Sequence, residues 1–224
     1  MPDGSRFKCS EAFVKKYLHQ LKWSQRRATR AAQKLPQNHE KMLSDSFLRE
    51  AYVIRDHGVP AELRVNTDQT QCVYQQGSKT TWTRSGASQV ATVGSEEKRA
   101  FTIVPSISAS GEVLPWQAIF HGSTEASCPK KGCRGWNDLN SKGFCLVPSK
   151  TSTYWSNLQT MKDLVEDIIA PHFARKREEL GLEKDQQAIW RIDCWSVHKS
   201  EDFLTWMKRA HPEITIIFVP GGCT

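Results

Sequence analysis

Between residues 188 and 219 the chain reads as strand, helix, strand. Ala188–Asp193 and Ile214–Val219 are short apolar runs, residues 200–209 carry helical periodicity, and Pro220-Gly221-Gly222 closes the second run. Two such runs joined through a helix belong side by side in one sheet with the helix packed on its face. Upstream the pattern differs. Residues 63–68, 72–75, 101–108 and 113–120 read as strands, and Ser110-Gly111 predicts a hairpin between the last two. Strands first and alternation afterwards predict an α/β (α+β) chain, a mixed sheet flanked by helices.

Helical periodicity recurs at residues 158–173, where Pro171 should kink or divide the helix, and at 39–57, closed by Gly58 and Pro60. Near the N-terminus Phe13, Val14, Tyr17, Leu18 and Leu21 share one face of a helix capped by Ser10. A second helix is expected from Ser24 to just before Pro36.

Charge separates this N-terminal arm from the rest. Residues 1–41 hold ten Lys or Arg against three acids, an excess equal to the whole net charge of +7, so the remaining chain is neutral. The arm is therefore expected to face nucleic acid, with Lys15, Lys16, Lys22, Arg26, Arg27 and Arg30 as its DNA-binding residues. On the helix expected from Ser24, Arg26, Arg27 and Arg30 would stand within little more than one turn. The competing expectation is a solvated basic helix.

No stretch approaches a membrane span, and no apolar signal core opens the sequence, so a membrane partner is not expected. Seven cysteines at irregular spacing read as reduced thiols. Cys128 and Cys133, near His121 and Cys145, lack the paired spacing of a zinc site, and a surface loop is the expectation there. Trp82, Arg84, Lys98 and Arg99 are expected in a loop between strands, and Trp190, Trp195 and Trp206 in the core.

Asp68 and Asp193 each end an apolar run. A single such acid is ordinarily a turn-former. On neighbouring strands, about 4.8 Å apart, the pair would suit a hard divalent cation, which would relieve the repulsion between the two carboxylates.

These motifs together resemble the DDE-type transposases of the mariner/pogo superfamily, whose relatives include centromere protein B. Asn66-Thr67-Asp68-Gln69-Thr70 resembles the first-acid motif, with Gln69 where Glu is commoner, and Gly111-Glu112-Val113-Leu114-Pro115 the central hairpin. Asp193-Cys194-Trp195-Ser196-Val197-His198 resembles the second-acid motif, and residues 217–224 the segment leading to the third acid. Phe7, Ser10, Phe13 and Val14 resemble the end of the family's helix-turn-helix region.

The resemblance implies an RNase H-like fold with Asp68 and Asp193 as catalytic, metal-holding residues of a two-metal Mg²⁺ or Mn²⁺ site that cleaves or joins DNA phosphodiesters. It implies a nuclear protein whose partner is DNA, with self-association left open. His198 is an auxiliary candidate: contact with Asp193, a phosphate role and a helix cap all stay open. The implied organisation is a helix-turn-helix remnant at 1–36, a helical linker at 37–60, and an endonuclease domain at 61–224 lacking its C-terminal end and its third acid. The alternatives are a domesticated DNA-binding scaffold without catalysis and a hybrid-cleaving or structure-selective nuclease on the same fold.

Overall fold

The computed structural model describes residues 9–27, 36–74, 80–87 and 99–223. The chain divides into two compact units, Met1–Gln33 with Gln75–Lys98, and Lys34–Tyr74 with Arg99–Thr224.

In the first unit α1 (Glu11–Gln20) begins where the Ser10 hydroxyl accepts the Phe13 N–H at 3.2 Å, and an i,i+4 pair joins Glu11 to Lys15 at 2.6 Å. Lys22, at φ 59°, turns the chain. Residues 23–27 do not form the helix expected from Ser24. Trp23–Arg27 forms β1, paired antiparallel with a later strand at Thr80–Arg84, from Trp23 opposite Arg84 to Arg27 opposite Thr80. The partner is rich in Thr and Trp, residues suited to a pleated surface, and pairing with it overrides the weaker helical preference of residues 23–27. Trp82 and Arg84 accordingly lie on a strand rather than in a loop, and the Trp82 ring meets His19 edge-on at 5.3 Å. Arg30 and Lys98 lie outside the described residues.

The second unit opens with α2 (His39–His57), ended by Gly58 at φ 59°, a left-handed cap that glycine adopts at little cost. Then come β2 (Arg64–Thr67) and β3 (Thr70–Val73); the strand at Thr80–Arg84, in the other unit, is β4. The second unit resumes with β5 (Ala100–Val104), β6 (Ser106–Ser108), β7 (Gln117–Phe120), α3 (Trp136–Ser141) and β8 (Cys145–Pro148). The run expected as a strand at 113–120 is shortened to its second half because Pro115 cannot donate to a ladder; before it only Val113 pairs, with Ile107.

The ladders β10-β9-β2-β6 and β3-β5-β7-β8 share a boundary. Val65 opposes Ser108, Thr67 opposes Ser106, and Thr70 opposes Ile103, all in one antiparallel register. At the level between them the Asp68 N–H donates to the Pro105 carbonyl at 3.2 Å, and Pro105 has no N–H to return the bond. Thus β2/β3 and β6/β5 are two long strands interrupted at the same level, and the sheet runs β10, β9, β2/β3, β6/β5, β7, β8.

The remaining elements are α4 (Leu158–Leu164), a π-helical turn at Val165–Ile169, α5 (Ala170–Glu179), β9 (Ala188–Asp193), α6 (Glu201–Ala210) and β10 (Ile214–Val219). Pro171 does divide its helix. The Ala170 N–H reaches Val165 instead of the carbonyl one residue later, the widened turn that goes with a proline entering a helical path. The strands β2, β9 and β10 are mutually parallel. Their apolar side chains pack with those of the helices in one core, including Trp190, Phe173, Phe203, Leu164 and Ile192, all essentially without exposed surface. Gln117 ties the sheet to α4 through a 2.9 Å bond from its amide to the Thr160 carbonyl. This mixed sheet, antiparallel on one side, parallel on the other and flanked by helices, is the RNase H-like arrangement.

Candidate active site

β2 and β9 run parallel, with Arg64 opposite Ile189, Val65 opposite Trp190 and Asn66 opposite Arg191. The pairing ends at Asn66 and Arg191; Asp68 follows the end of β2, and Asp193 is the last residue of β9. Val219, the last residue of β10, is paired with Asp193 on its other side. The two acids thus share the C-terminal edge of the parallel strands, the edge at which ligands sit in open α/β sheets.

Local bonds hold each acid. Asp68 is exposed, and its Oδ1 accepts the N–H of Gln69 at 2.8 Å. Asp193 is partly buried, and its Oδ1 lies 2.7 Å from Nδ1 of His198, which also lies 3.1 Å from the Asp193 carbonyl. Contact with Asp193, one of the three roles open for His198, is present. The imidazole is 4% exposed, and its Nε2 is buried with no hydrogen-bond partner in the structure. Helix α6 is capped instead by Ser200, whose hydroxyl accepts the Phe203 N–H.

Beneath the acids lies a buried polar chain. The Trp190 indole N–H donates to the Thr67 hydroxyl at 2.8 Å, and Thr67 and Ser106 share a 2.7 Å bond. All three side chains are nearly inaccessible, so each bond replaces one that water cannot make. The network locks β2 to β6 and β9 one residue before Asp68.

Above Asp193 opens a cleft of about 340 Å³ lined by Gln69, Trp155, Asp193 and Trp195. Trp190 is core, as expected, and Trp206 packs partly buried against it. Trp195, by contrast, leaves the core and faces this cleft. Trp155 joins it with little warning; the only sign of it in the sequence is a tryptophan within the otherwise polar stretch Thr153-Tyr154-Trp155-Ser156-Asn157.

The candidates of the arm belong to the first unit. Lys15 is engaged by Glu11 on α1, Lys22 occupies the turn before β1, and Arg26 and Arg27 fall within β1. In the second unit Arg99 lies over the Tyr74 ring at 5.9 Å. Cys128 is buried with Ala118 and Phe120 while Cys133 is exposed. Among the described residues no group of three His, Cys, Asp or Glu side chains is placed to hold a metal ion, and no helix is long and apolar enough to cross a membrane.

The sheet order and its flanking helices are those of an RNase H-like fold. Its structure is similar to those of the Mos1 mariner transposase. A pre-cleavage Mos1 transpososome matches with a TM-score of 0.49 at 10% identity, over 95% of this chain and 52% of the other. A Mos1 paired-end complex with Mn matches at 0.48 and 11% identity over 95% and 52%, and one with Mg at 0.44 and 12% over 94% and 50%. The chain spans about half the length of these transposase chains. No protein-family model matches the sequence, and no curated protein matches it.

Proposed function

We propose that this chain is the core of a DDE-type, pogo-like transposase-derived endonuclease domain that acts on DNA phosphodiesters with Mg²⁺ or Mn²⁺. The observation that carries the reading is that Asp68 and Asp193 come at the C-terminal ends of β2 and β9, which are adjacent and parallel. Both are hard oxygen donors, and neither is neutralised by a Lys or Arg salt bridge among the described residues, which fits a divalent cation. Oδ1 of Asp68 accepts a backbone N–H and Oδ1 of Asp193 lies against His198, contacts that would orient the two carboxylates if they held the ion. When bound, such ions supply charge neutralisation at the phosphoryl oxygens and activation of a water or a DNA 3′-hydroxyl.

His198 acts as a positioning residue. Its ring is held in the fold and fixes the Asp193 carboxylate, limiting the rotamers open to the acid before any ion arrives. The basic residues Lys15, Lys16, Lys22, Arg26, Arg27 and Arg30 hold the DNA backbone through phosphate contacts, which position the duplex without reading its sequence. A nuclear location and self-association on DNA belong to the same reading.

The test is nicking of supercoiled plasmid with Mn²⁺, comparing the chain with Asp68→Asn and Asp193→Asn. Nicking by the native sequence that falls at least about 100-fold in either variant is expected. Equal nicking by all three proteins sinks the assignment. A second reading, a DNA-binding scaffold without catalysis, draws on there being no group of three His, Cys, Asp or Glu side chains placed to hold a metal ion among the described residues. It predicts retained DNA binding with no metal-dependent nicking at all.

A further inference from the structure

Independently of the phosphodiester reading, we infer that a second cleft, on the face of the sheet that carries α2, is a docking site for an acidic side chain of a partner protein, offered by a segment that also bears apolar side chains. Successive side chains of a strand point to opposite faces. On one face the Trp190 ring lies 6.2 Å from Phe203 of α6. Arg191 therefore emerges on the other, where its Nη1 lies 3.3 Å from the Glu50 carboxylate of α2. The cleft beside that pair measures about 250 Å³, and its lining includes Glu50, Arg64, Asn66, Ile107, Ile189 and Arg191.

Two guanidiniums meet there. Arg64 is opposite Ile189 and Asn66 is opposite Arg191, so the arginines are diagonal neighbours on adjacent strands, about 8 Å apart along the backbone, and their long side chains can converge on one group. Glu50 is the one acid in the lining, which leaves one positive charge unmatched. The Nε–H groups of Arg64 and Arg191 are both shut off from solvent and have no acceptor among the described residues. Arg191 is otherwise held, by Glu50 and by the Phe47 ring at 5.3 Å, whereas the Arg64 guanidinium forms no ion pair among the described residues. Charged donors stranded in this way are costly, and an anionic acceptor relieves the cost.

Size and surroundings select the occupant. The volume lies below the roughly 300 Å³ at which small-molecule sites begin, and it suits a single side chain. A planar carboxylate matches the guanidinium fork with two parallel bonds, and the exposed Asn66 adds an amide donor beside it. Around the cleft, Ile107 is 45% exposed, and Val113, paired directly with it, is 58% exposed. Phe47, against Arg191, is exposed as well. Arginine set among exposed apolar and aromatic side chains is the composition of a protein interface. A DNA backbone would need a row of cations for its successive phosphates, and here the pair is flanked by a carboxylate and apolar side chains instead.

The probe is a hexapeptide of alternating Glu and Leu, with a twin carrying Gln for Glu and a DNA duplex as comparisons. Arginine Nε–H signals of the ¹⁵N-labelled native chain, assigned through Arg64→Lys and Arg191→Lys, should move with the Glu peptide and stay in place with the Gln twin. By fluorescence anisotropy of the labelled peptide, Arg64→Ala should bind about ten-fold or more weakly, the usual cost of a charge-assisted hydrogen bond. Arg64→Lys, which keeps the charge and loses the fork, should recover only part. Arg64 has no ion-pair partner for the substitution to strand, and circular dichroism checks the fold; the native chain with the two peptides decides the matter by itself if the variant unfolds. Signals unmoved by millimolar Glu peptide, equal binding of the Gln twin, or undiminished binding by folded Arg64→Ala overturns the inference. So does movement of the two signals with the DNA duplex and not with the peptide, which would mark a phosphate site. No metal and no cleavage enter these measurements, so failure of plasmid nicking with peptide binding intact rejects the endonuclease reading alone.

Discussion

His198 Nδ1 lies 2.7 Å from Oδ1 of Asp193, five residues earlier, with the imidazole buried and the carboxylate at the rim of the sheet. The turn between them brings the histidine back under the acid, so the short stretch that ends β9 supplies both a ligand candidate and its support.

If that support matters to the chemistry, His198→Ala should lower Mn²⁺-dependent nicking by about ten- to a hundred-fold, the usual cost of removing a residue that orients a metal ligand. His198→Asn, which can still donate to the carboxylate, should recover part of it. Single-turnover nicking across a Mn²⁺ titration checks this: the Ala variant should need more Mn²⁺, and an unshifted titration with normal rates argues against a positioning role.

The Thr67 hydroxyl joins Trp190 to Ser106 in the buried chain beneath Asp68. Thr67→Val keeps the shape and removes the oxygen, leaving the Trp190 indole N–H with no acceptor. It should destabilise the fold by about 1–3 kcal/mol, seen as a lower urea midpoint with an unchanged slope. A midpoint equal to that of the native chain would contradict the role given to this network.

Acid should weaken the fold in two steps. Burial lowers the His172 pKa below its usual 6.5, so the folded state favours the neutral ring and stability drops as pH falls through the unfolded value near 6.5. Glu112 is held at about 2 instead of 4.5, first by the Lys176 ammonium at 2.7 Å and then by the Arg175 guanidinium at 2.6 Å. Its depressed pKa contributes stability that is present above about 4.5 and lost as pH falls towards 2. Melting temperature against pH should show both declines. Glu112→Gln should lower the neutral-pH melting temperature and flatten the lower step, and a variant curve parallel to the native one down to pH 2 refutes the assignment.

For the arm, deletion is a poor probe because β1 pairs with β4, and removing one strand strips the other. The triple substitution Lys15→Ala, Lys16→Ala, Lys22→Ala leaves that pairing in place. It should reduce the slope of log affinity against log salt by up to about 0.9 for each phosphate no longer neutralised. A slope identical to that of the native chain would place the DNA backbone elsewhere.

The local patterns of the sequence by itself determined most of the second unit: the hairpin at Ser110-Gly111, the strand–helix–strand run ending at Val219, the division at Pro171 and the two acids at strand ends. Apolar periodicity, caps and prolines act over a few residues, so they can be read without knowing the partners. Pairing decided the rest. Residues 23–27 are a strand only because residues 80–84 lie beside them, and Asp68 and Asp193 come to the same edge only because β2 and β9 pair in parallel. Trp155 reaches the site from a loop 38 residues before Asp193 because buried serines and an asparagine close that loop against the fold. Pairings between residues distant in sequence leave no periodic trace along the chain, which is why the acids were legible in it and the cleft above them was not.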